Sequence, residues 1–342
     1  MGQSLRTAAD ALVGLRFAIL NMIIRGDGVA ASCCAYLLSK AGFQIHPQPV
    51  ARPRLPVILL GEQSIALIRD IFDQPGLFAD LPRIRKRVVA WGPGAKPIEV
   101  EHSAVVVSEE LLLESIRPAL IPNGNSDWTI FAAPPLPSAV VQHHFGSRVA
   151  SASPVKLTEN SDPAACWIES LESGWLFLVS GWLLSVGAPA ETLLAGSRVV
   201  ATQIASIAAG SGQFPAYARI ASPLCAPGWL ACGTAAMAFD PICGDGTAHA
   251  IREAILAAAV IRALAKGGSA DDLLLHYEAR LIAGFRRHLM LCGQFYSTGG
   301  SEGLWKTELD AIQRGIQWCE TRLSAHPGFR YQLRGFELEA VR

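Results

Sequence analysis

The chain has 342 residues, of which 51% are hydrophobic and 17% are charged, and its formal net charge is zero. This length allows one large or two medium domains, and the apolar content excludes a disordered chain. A neutral chain exerts no long-range attraction on nucleic acid or anionic lipid, so we expect no nucleic-acid partner. The short basic run Arg83–Arg87 is interpreted as a solvated face.

The eight cysteines form no CxxC pair. Cys225, Cys232 and Cys243 lie near one another with His249 beyond them, but these spacings match no usual zinc pattern. The sequence therefore predicts no metal site, and buried free thiols instead. Such thiols are typical of a reducing compartment, so we expect a cytoplasmic protein.

Targeting and membrane segments are not predicted. The N-terminus lacks the basic, apolar and small-residue regions of a signal peptide. Uncharged stretches near 173–190, 199–218 and 220–239 contain several Gly, Ser or Pro residues. We interpret them as buried strands and turns, so no transmembrane segment is expected.

An apolar run, Ile19–Ile24, precedes a glycine turn and the helix-forming stretch Val29–Lys40. The run predicts a buried parallel strand. Gly26, Gly28 and Ala31 have the spacing G-x-G-x-x-A, which is typical of a dinucleotide-binding fold when it lies between a strand and a helix. Such glycines let the backbone approach a pyrophosphate, and the helix N-terminus offers free N–H groups. The alternative is a glycine turn that serves packing only.

Further along the chain, helical and strand-like patterns alternate. The strand-like segments are 43–47, 87–107, 127–133 and 165–188, and the tail 329–340 is predicted to be a strand or an extended arm. The predicted helices are Gly61–Phe72, Ser108–Leu120 with Ser108 as its N-cap, one ending near Lys266, Asp271–Tyr296 and Glu302–Leu323.

A second glycine motif lies between residues 228 and 264. Gly233, Ala235 and Ala236 follow a predicted strand, then come Asp240-Pro241, Gly244-x-Gly246 and a long helix. This order resembles the second FAD fingerprint of the flavin-dependent monooxygenases and halogenases, the superfamily of para-hydroxybenzoate hydroxylase. In that arrangement the positive end of the helix dipole stabilises the negative N1–C2=O edge of reduced flavin. The alternative is a helix packed under a sheet, with glycines for close contact.

The resemblance implies an α/β fold with three parts: a Rossmann-like doubly wound sheet for FAD or NAD(P), a smaller antiparallel substrate sheet, and C-terminal helices. Residues 15–82, 108–139 and 218–270 are assigned to a discontinuous FAD-binding-like domain. Residues 83–107 and 140–217 are assigned to the substrate-side sheet, and residues 271–342 to a C-terminal helical segment and tail.

The resemblance also implies FAD as cofactor, held by the two glycine motifs. The cofactor-binding candidates are Arg25, Gly26, Gly28, Ala31, Gly233, Thr234, Asp240, Pro241, Gly244, Gly246 and Thr247. Asp245 or Thr247 is expected to cap the long helix. No second nucleotide fingerprint is present, so NAD(P)H is expected to bind transiently, or an electron-donor or subunit partner to deliver electrons.

Four positions depart from the family pattern: Asp27, Pro49, Thr234 and Ser108. Asp27 places negative charge beside the pyrophosphate, with Arg25 as an offset, and Pro49 stands where the family has an acid that binds the ribose. Thr234 replaces an aspartate, and Ser108 replaces an arginine. Each change removes or opposes a polar contact, so FAD binding is expected to be weak or absent.

The implied function is that of an FAD-dependent oxidoreductase, of monooxygenase or dehydrogenase type. Halogenases contain Gly-Trp-x-Trp-x-Ile-Pro, and here Gly174-Trp175 is not followed by the second Trp or the Pro. A hydroxylase or dehydrogenase is therefore favoured over a halogenase.

The substrate region is rich in Trp, Leu and Val, which predicts an apolar or aromatic substrate. His143 and His144 are the acid–base candidates, with a surface histidine pair as the alternative. The second functional hypothesis is a flavoprotein-like accessory subunit that has lost tight FAD binding and serves in interaction.

Overall fold

The computed structural model describes residues 21–118, 128–208, 210, 212–326 and 328–341. Parts of three predicted elements and of the first domain, residues 15–20 and 119–127, lie outside the described residues. The strands are β1 (Asn21–Arg25), β2 (Gln44–Gln48), β3 (Ile58–Gly61), β4 (Arg83–Ala90), β5 (Ile98–Val107), β6 (Trp128–Phe131), β7 (Val141–Phe145), β8 (Val149–Leu157), β9 (Ala165–Leu171), β10 (Gly174–Val179), β11 (Trp182–Gly187), β12 (Ile204–Ile207), β13 (Phe214–Pro215), β14 (Ala218–Ser222), β15 (Cys225–Ala226), β16 (Trp229–Ala231), β17 (Met237–Ala238), β18 (Tyr331–Arg334) and β19 (Glu337–Ala340).

The α-helices are α1 (Val29–Lys40), α2 (Glu62–Phe72), α3 (Glu109–Ser115), α4 (Ala190–Gly196), α5 (Gly233–Ala236), α6 (Gly246–Ala265), α7 (Ala270–Gly299) and α8 (Leu304–Ser324). Short 3-10 helices cover Ala201–Gln203 and Pro241–Cys243. No described helix combines the length and the apolar character needed to cross a membrane.

A five-stranded sheet has the order β15-β16-β6-β1-β2. Strands β16, β6, β1 and β2 are parallel, and β15 is an antiparallel edge strand. The chain continues from β1 to β2 on one side, whereas β6 lies on the other, so a topological switch point falls at the carboxyl end of β1. The predicted α/β fold with a doubly wound, Rossmann-like sheet is confirmed.

A second sheet has nine strands in the order β12-β8-β11-β10-β9-β4-β5-β3, with β13 paired to β8. Its neighbours are antiparallel except β4 and β9. This sheet is larger than the five-stranded one, so the prediction of a smaller substrate sheet is wrong in size. One reason is β3, which pairs with β5. The sequence did not indicate this strand, because its four residues directly precede a helix and show no alternation of apolar and polar side chains. Strand β7 was assigned to the substrate-side sheet, but it joins β14 and β17 in a separate three-stranded sheet.

The packing of α1 against α6 draws the two glycine motifs together. Small residues line the buried face of α6, including Ala254, Ala257 and Ala258. They let the helices approach closely enough for the Cys34 Sγ to lie 3.6 Å from the Ala254 carbonyl oxygen. Helices α7 and α8 pack against each other after this pair, and the tail forms the hairpin β18–β19.

Candidate functional site

The first glycine turn lies between β1, which ends at Arg25, and α1. Gly26 has φ +125°, and a Cβ atom there would lie 3.1 Å from the backbone nitrogen of Ala133, so only glycine fits. Gly28 is the N-cap of α1, which has no side-chain cap and no acidic residue in its first turn. Ala31 is buried on α1. The free N–H groups of this helix end are available to an anion.

The second glycine turn touches the first. Gly233 has φ +55°, and a Cβ atom there would lie 2.8 Å from the Cβ of Ala30 on α1. Its N–H donates to the Oε2 of Glu253 at 2.7 Å. The Thr234 hydroxyl donates to the Ala132 carbonyl oxygen at 3.2 Å. The hydroxyl that replaces the family's carboxylate is thus directed to the backbone of the chain after β6.

Two arginines that the sequence analysis missed lie beside the first turn. Arg54 forms an ion pair with Asp27, and Arg52 forms one with Glu109 at the start of α3. A Cβ atom at Gly28 would lie 3.1 Å from an Nη atom of Arg52. Arg54 therefore neutralises Asp27, whose charge was expected to oppose a pyrophosphate. Arg52 and Arg54 could have been found from the sequence by their position in the loop that follows β2.

Open space lies in front of α6. Gly244 has φ +66°, and a Cβ atom at Gly244 or Gly246 would meet no atom of the described part of the chain within 4 Å. Asp245 is the N-cap residue, but its side chain makes no cap hydrogen bond and instead lies 3.0 Å from the His249 Nε2. The expected cap by Asp245 is therefore wrong, and Thr247 lies inside the helix. Like α1, this helix begins with free N–H groups, and the space in front of it fits the flat, electron-rich edge of a flavin.

The Asp240-Pro241 segment is fixed to the substrate-side sheet by buried charges. The Arg148 Nη2 lies 2.7 Å from the Asp240 Oδ2, and Nη1 pairs with Glu308 of α8. The guanidinium also lies 4.4 Å from the ring centre of Tyr296. All three charged side chains are at most 2% exposed. Burial raises the pKa of Asp240, although Arg148 acts to lower it.

On its other side the same segment contacts a histidine and two thiols. The Asp240 N–H donates to the His288 Nε2 at 2.9 Å, and the Cys292 Sγ lies 3.2 Å from that nitrogen. The Cys243 and Cys292 sulfurs are 3.7 Å apart. Burial lowers the pKa of His288 to about 4, so this imidazole is neutral at pH 7. All eight cysteines are free, and all except Cys243 are buried.

The side chains of the two histidines that were predicted as an acid–base pair do not converge on one point. His143 and His144 are successive residues of β7, so their side chains project from opposite faces. The His143 ring lies 4.9 Å from the Trp318 ring, whereas the His144 ring lies 5.4 Å from that of Tyr217. Burial lowers the pKa of His143, with Arg322 contributing. The geometry does not support a paired catalytic role.

A hollow of about 460 Å³ opens where β8 begins. It adjoins the buried charges, because the N–H and hydroxyl of Ser147, in its wall, both donate to the Glu308 carboxylate. Its volume lies within the range of small-molecule sites, about 300–1,000 Å³. The lining residues are Gly146, Ser147, Val149, Gln213, Phe214, Pro215 and Tyr217.

No known family model and no curated protein sequence matches the chain. Solved structures do. The flavin-dependent halogenase CmlS matches with a TM-score of 0.70 and 16% identity, over 89% of this chain and 71% of that one. The peptidyl tryptophan dihydroxylase QhpG, essential for tryptophylquinone cofactor biogenesis, matches with a TM-score of 0.65 and 16% identity, over 95% and 86%.

A third match is p-nitrophenol 4-monooxygenase PnpA from Pseudomonas putida DLL-E4, with a TM-score of 0.61 and 12% identity, over 90% of this chain and 99% of that one. The glycine turns and the uncapped helix ends of this chain are consistent with the fold of these three structures. The chain shares the fold of these three solved structures, a flavin-dependent halogenase, a peptidyl tryptophan dihydroxylase and a p-nitrophenol monooxygenase.

Proposed function

We propose that the chain is an FAD-dependent oxidoreductase of the monooxygenase type that acts on an apolar or aromatic substrate. The main support is the contact between the Gly233 turn and α1, together with the glycine turns Gly26–Gly28 and Gly244–Gly246, from which α1 and α6 begin without side-chain caps. Among the described α-helices only α3 and α7 have a capping serine, so the missing cap alone is not distinctive; α1 and α6 also lack acidic first-turn residues and follow the two glycine motifs. Helix ends without caps leave N–H groups for a ligand, and two of them suit the pyrophosphate and the flavin of one FAD.

In this proposal the turn Gly26–Gly28 holds the pyrophosphate and Arg54 supplies positive charge, while Arg52 stays paired with Glu109. Gly244 and Gly246 face the flavin, and the start of α6 stabilises negative charge on it. When bound, FAD supplies the redox chemistry of the reaction. Pro49 and Thr234 still lack the expected carboxylates, at about 1–3 kcal/mol each, so we expect about micromolar rather than nanomolar affinity.

The hollow at the start of β8 is the proposed substrate site. Phe214 and Tyr217 give it an aromatic wall, and the Ser147 hydroxyl oxygen, whose proton is donated to Glu308, can accept a hydrogen bond. An aromatic ring with a polar substituent suits such a wall. Electrons come from NAD(P)H that binds transiently or from a partner protein.

The test is FAD titration of purified protein, followed by flavin fluorescence and calorimetry. We expect one FAD per chain and FAD-dependent oxidation of NAD(P)H that aromatic compounds accelerate. Gly246→Leu fills the space before α6 and should weaken FAD binding at least tenfold. Gly284→Leu is the matched control, because a Cβ atom there also meets no atom within 4 Å but lies inside α7.

Two results would contradict the proposal. The first is the absence of FAD binding by the folded wild-type chain at millimolar cofactor, which would favour the accessory-protein hypothesis. The second is equal loss of affinity in Gly246→Leu and Gly284→Leu, which would place the cofactor away from α6.

A further inference from the structure

Three potential metal ligands meet behind the Asp240–Gly246 loop. Cys243 ends the 3-10 turn just before Gly244, and His288 and Cys292 lie four residues apart on one face of α7. The Cys243 and Cys292 sulfurs are 3.7 Å apart, and the Cys292 sulfur is 3.2 Å from the His288 Nε2. All three ligand atoms lie within 4.8 Å of one another. We propose that Cys243, His288 and Cys292 bind a zinc ion.

The distances agree with tetrahedral coordination. With Zn–S bonds of about 2.3 Å and Zn–N bonds of about 2.0–2.1 Å, tetrahedral angles place two sulfurs about 3.8 Å apart and a sulfur and a nitrogen about 3.6 Å apart. The observed separations of 3.7 Å and 3.2 Å are within a few tenths of an ångström. Two thiolates also balance the charge of the ion in a buried place. A water molecule is the natural fourth ligand.

An acidic group stands where it would support the histidine. The His288 Nδ1 lies 3.7 Å from the Asp245 Oδ1, and neither buried atom has a hydrogen-bond partner among the described residues. Coordination through Nε2 leaves the proton on Nδ1, which can then donate to Asp245. A ligating histidine ordinarily donates its second N–H to a carboxylate in this way.

Zinc binding has one structural consequence. In the structure, the lone pair of the His288 Nε2 accepts the Asp240 N–H at 2.9 Å. The ion takes that lone pair, so the Asp240 backbone must shift by enough to release the hydrogen bond. Zinc would therefore change the position of the loop that leads to Gly244, whether or not the chain binds FAD.

The test is a cobalt titration of the reduced, metal-free, full-length protein. We expect the charge-transfer and d–d absorption bands of tetrahedral thiolate-bound cobalt at one equivalent, and their loss when zinc is added. Cys243→Ser and Cys292→Ser should each lower the affinity more than tenfold, and Asp245→Asn about 10–100-fold. Cys34→Ala is the control, since the Cys34 sulfur lies 3.9 Å from that of Cys232 with no described histidine or acid completing a metal-binding group there.

A second measurement does not depend on the folding of variants. In the wild-type protein, zinc should slow the alkylation of Cys243, the thiol of the cluster that is not fully buried, and mass spectrometry can follow it. The proposal is overturned if the reduced wild-type protein binds no cobalt, or if both serine variants bind it as tightly as the wild type. It is also overturned if oxidation joins Cys243 to Cys292 while the reduced pair takes up no metal. None of these results depends on flavin.

Discussion

Replacing Arg148 by methionine should destabilise the chain strongly and in a pH-dependent way. Arg148 is fully buried between Asp240 and Glu308, whose side chains are at most 2% exposed. Methionine keeps much of the apolar volume but removes the only cation that these two carboxylates contact directly among the described residues. Removing one partner of a buried ion pair costs about 3–5 kcal/mol, a large part of a typical total of about 5–15 kcal/mol.

The pH dependence follows from the buried Asp240 carboxyl group. Burial already raises its pKa, and without Arg148 it must be protonated to stay buried, so its folded-state pKa rises further above the unfolded value of about 3.9. At pH 7 that protonation costs at most about 4 kcal/mol, and at pH 5 about 1.5 kcal/mol. The stability lost in Arg148→Met is therefore recovered as the pH falls toward the unfolded pKa of the carboxyl group, and the loss is largest at neutral pH.

Urea unfolding followed by tryptophan fluorescence at pH 5 and pH 7 measures this effect. Arg286→Met is the matched control, because its ion pair with Glu320 is 35% and 52% exposed and is worth about 1 kcal/mol or less. If Arg148→Met lowers the free energy of unfolding no more than Arg286→Met, or equally at both pH values, the two carboxylates do not depend on Arg148.

Three further outcomes are expected. Burial raises the pKa of Glu253 to about 8, so wild-type stability falls by about 1.4 kcal/mol per pH unit between the unfolded pKa and pH 8; Glu253→Gln should remove that fall in urea unfolding. Gly233→Ala should lower the melting temperature more than Gly244→Ala, since both have positive φ but only Gly233 lacks space for a Cβ atom. Asp27→Asn should tighten FAD binding and Arg54→Met weaken it, with Kd values from fluorescence titration differing about tenfold.

Much of the fold was predictable because local patterns coincide with tertiary contacts. The glycine turn after β1 and the motif around Gly233 each lie between a strand and a helix, and both strands join the same sheet. The size of the second sheet was not predictable. Strand β3 is four apolar residues long, and only its pairing with β5 shows that it belongs there.

The site was predicted less completely, because its side chains come from distant parts of the chain. Glycines could be found from spacing alone, since their role is a local backbone conformation. Arg148 and Glu308 are 160 residues apart, and no local pattern relates them to Asp240. His143 and His144 were overvalued for the opposite reason: adjacency in sequence places them on opposite faces of β7.

The charges around the site suggest how this chain would hold FAD with so few of the expected contacts. Arg54 and Arg52 are already paired with Asp27 and Glu109, so a pyrophosphate would compete with carboxylates of the chain itself. The competition is uneven, because Asp27 is 26% exposed whereas Glu109 is 5% exposed and also accepts the Leu55 N–H at 2.9 Å. Under the proposed function, Arg54 is therefore the cation that a pyrophosphate would recruit at little cost, whereas Arg52 would stay paired with Glu109 of α3.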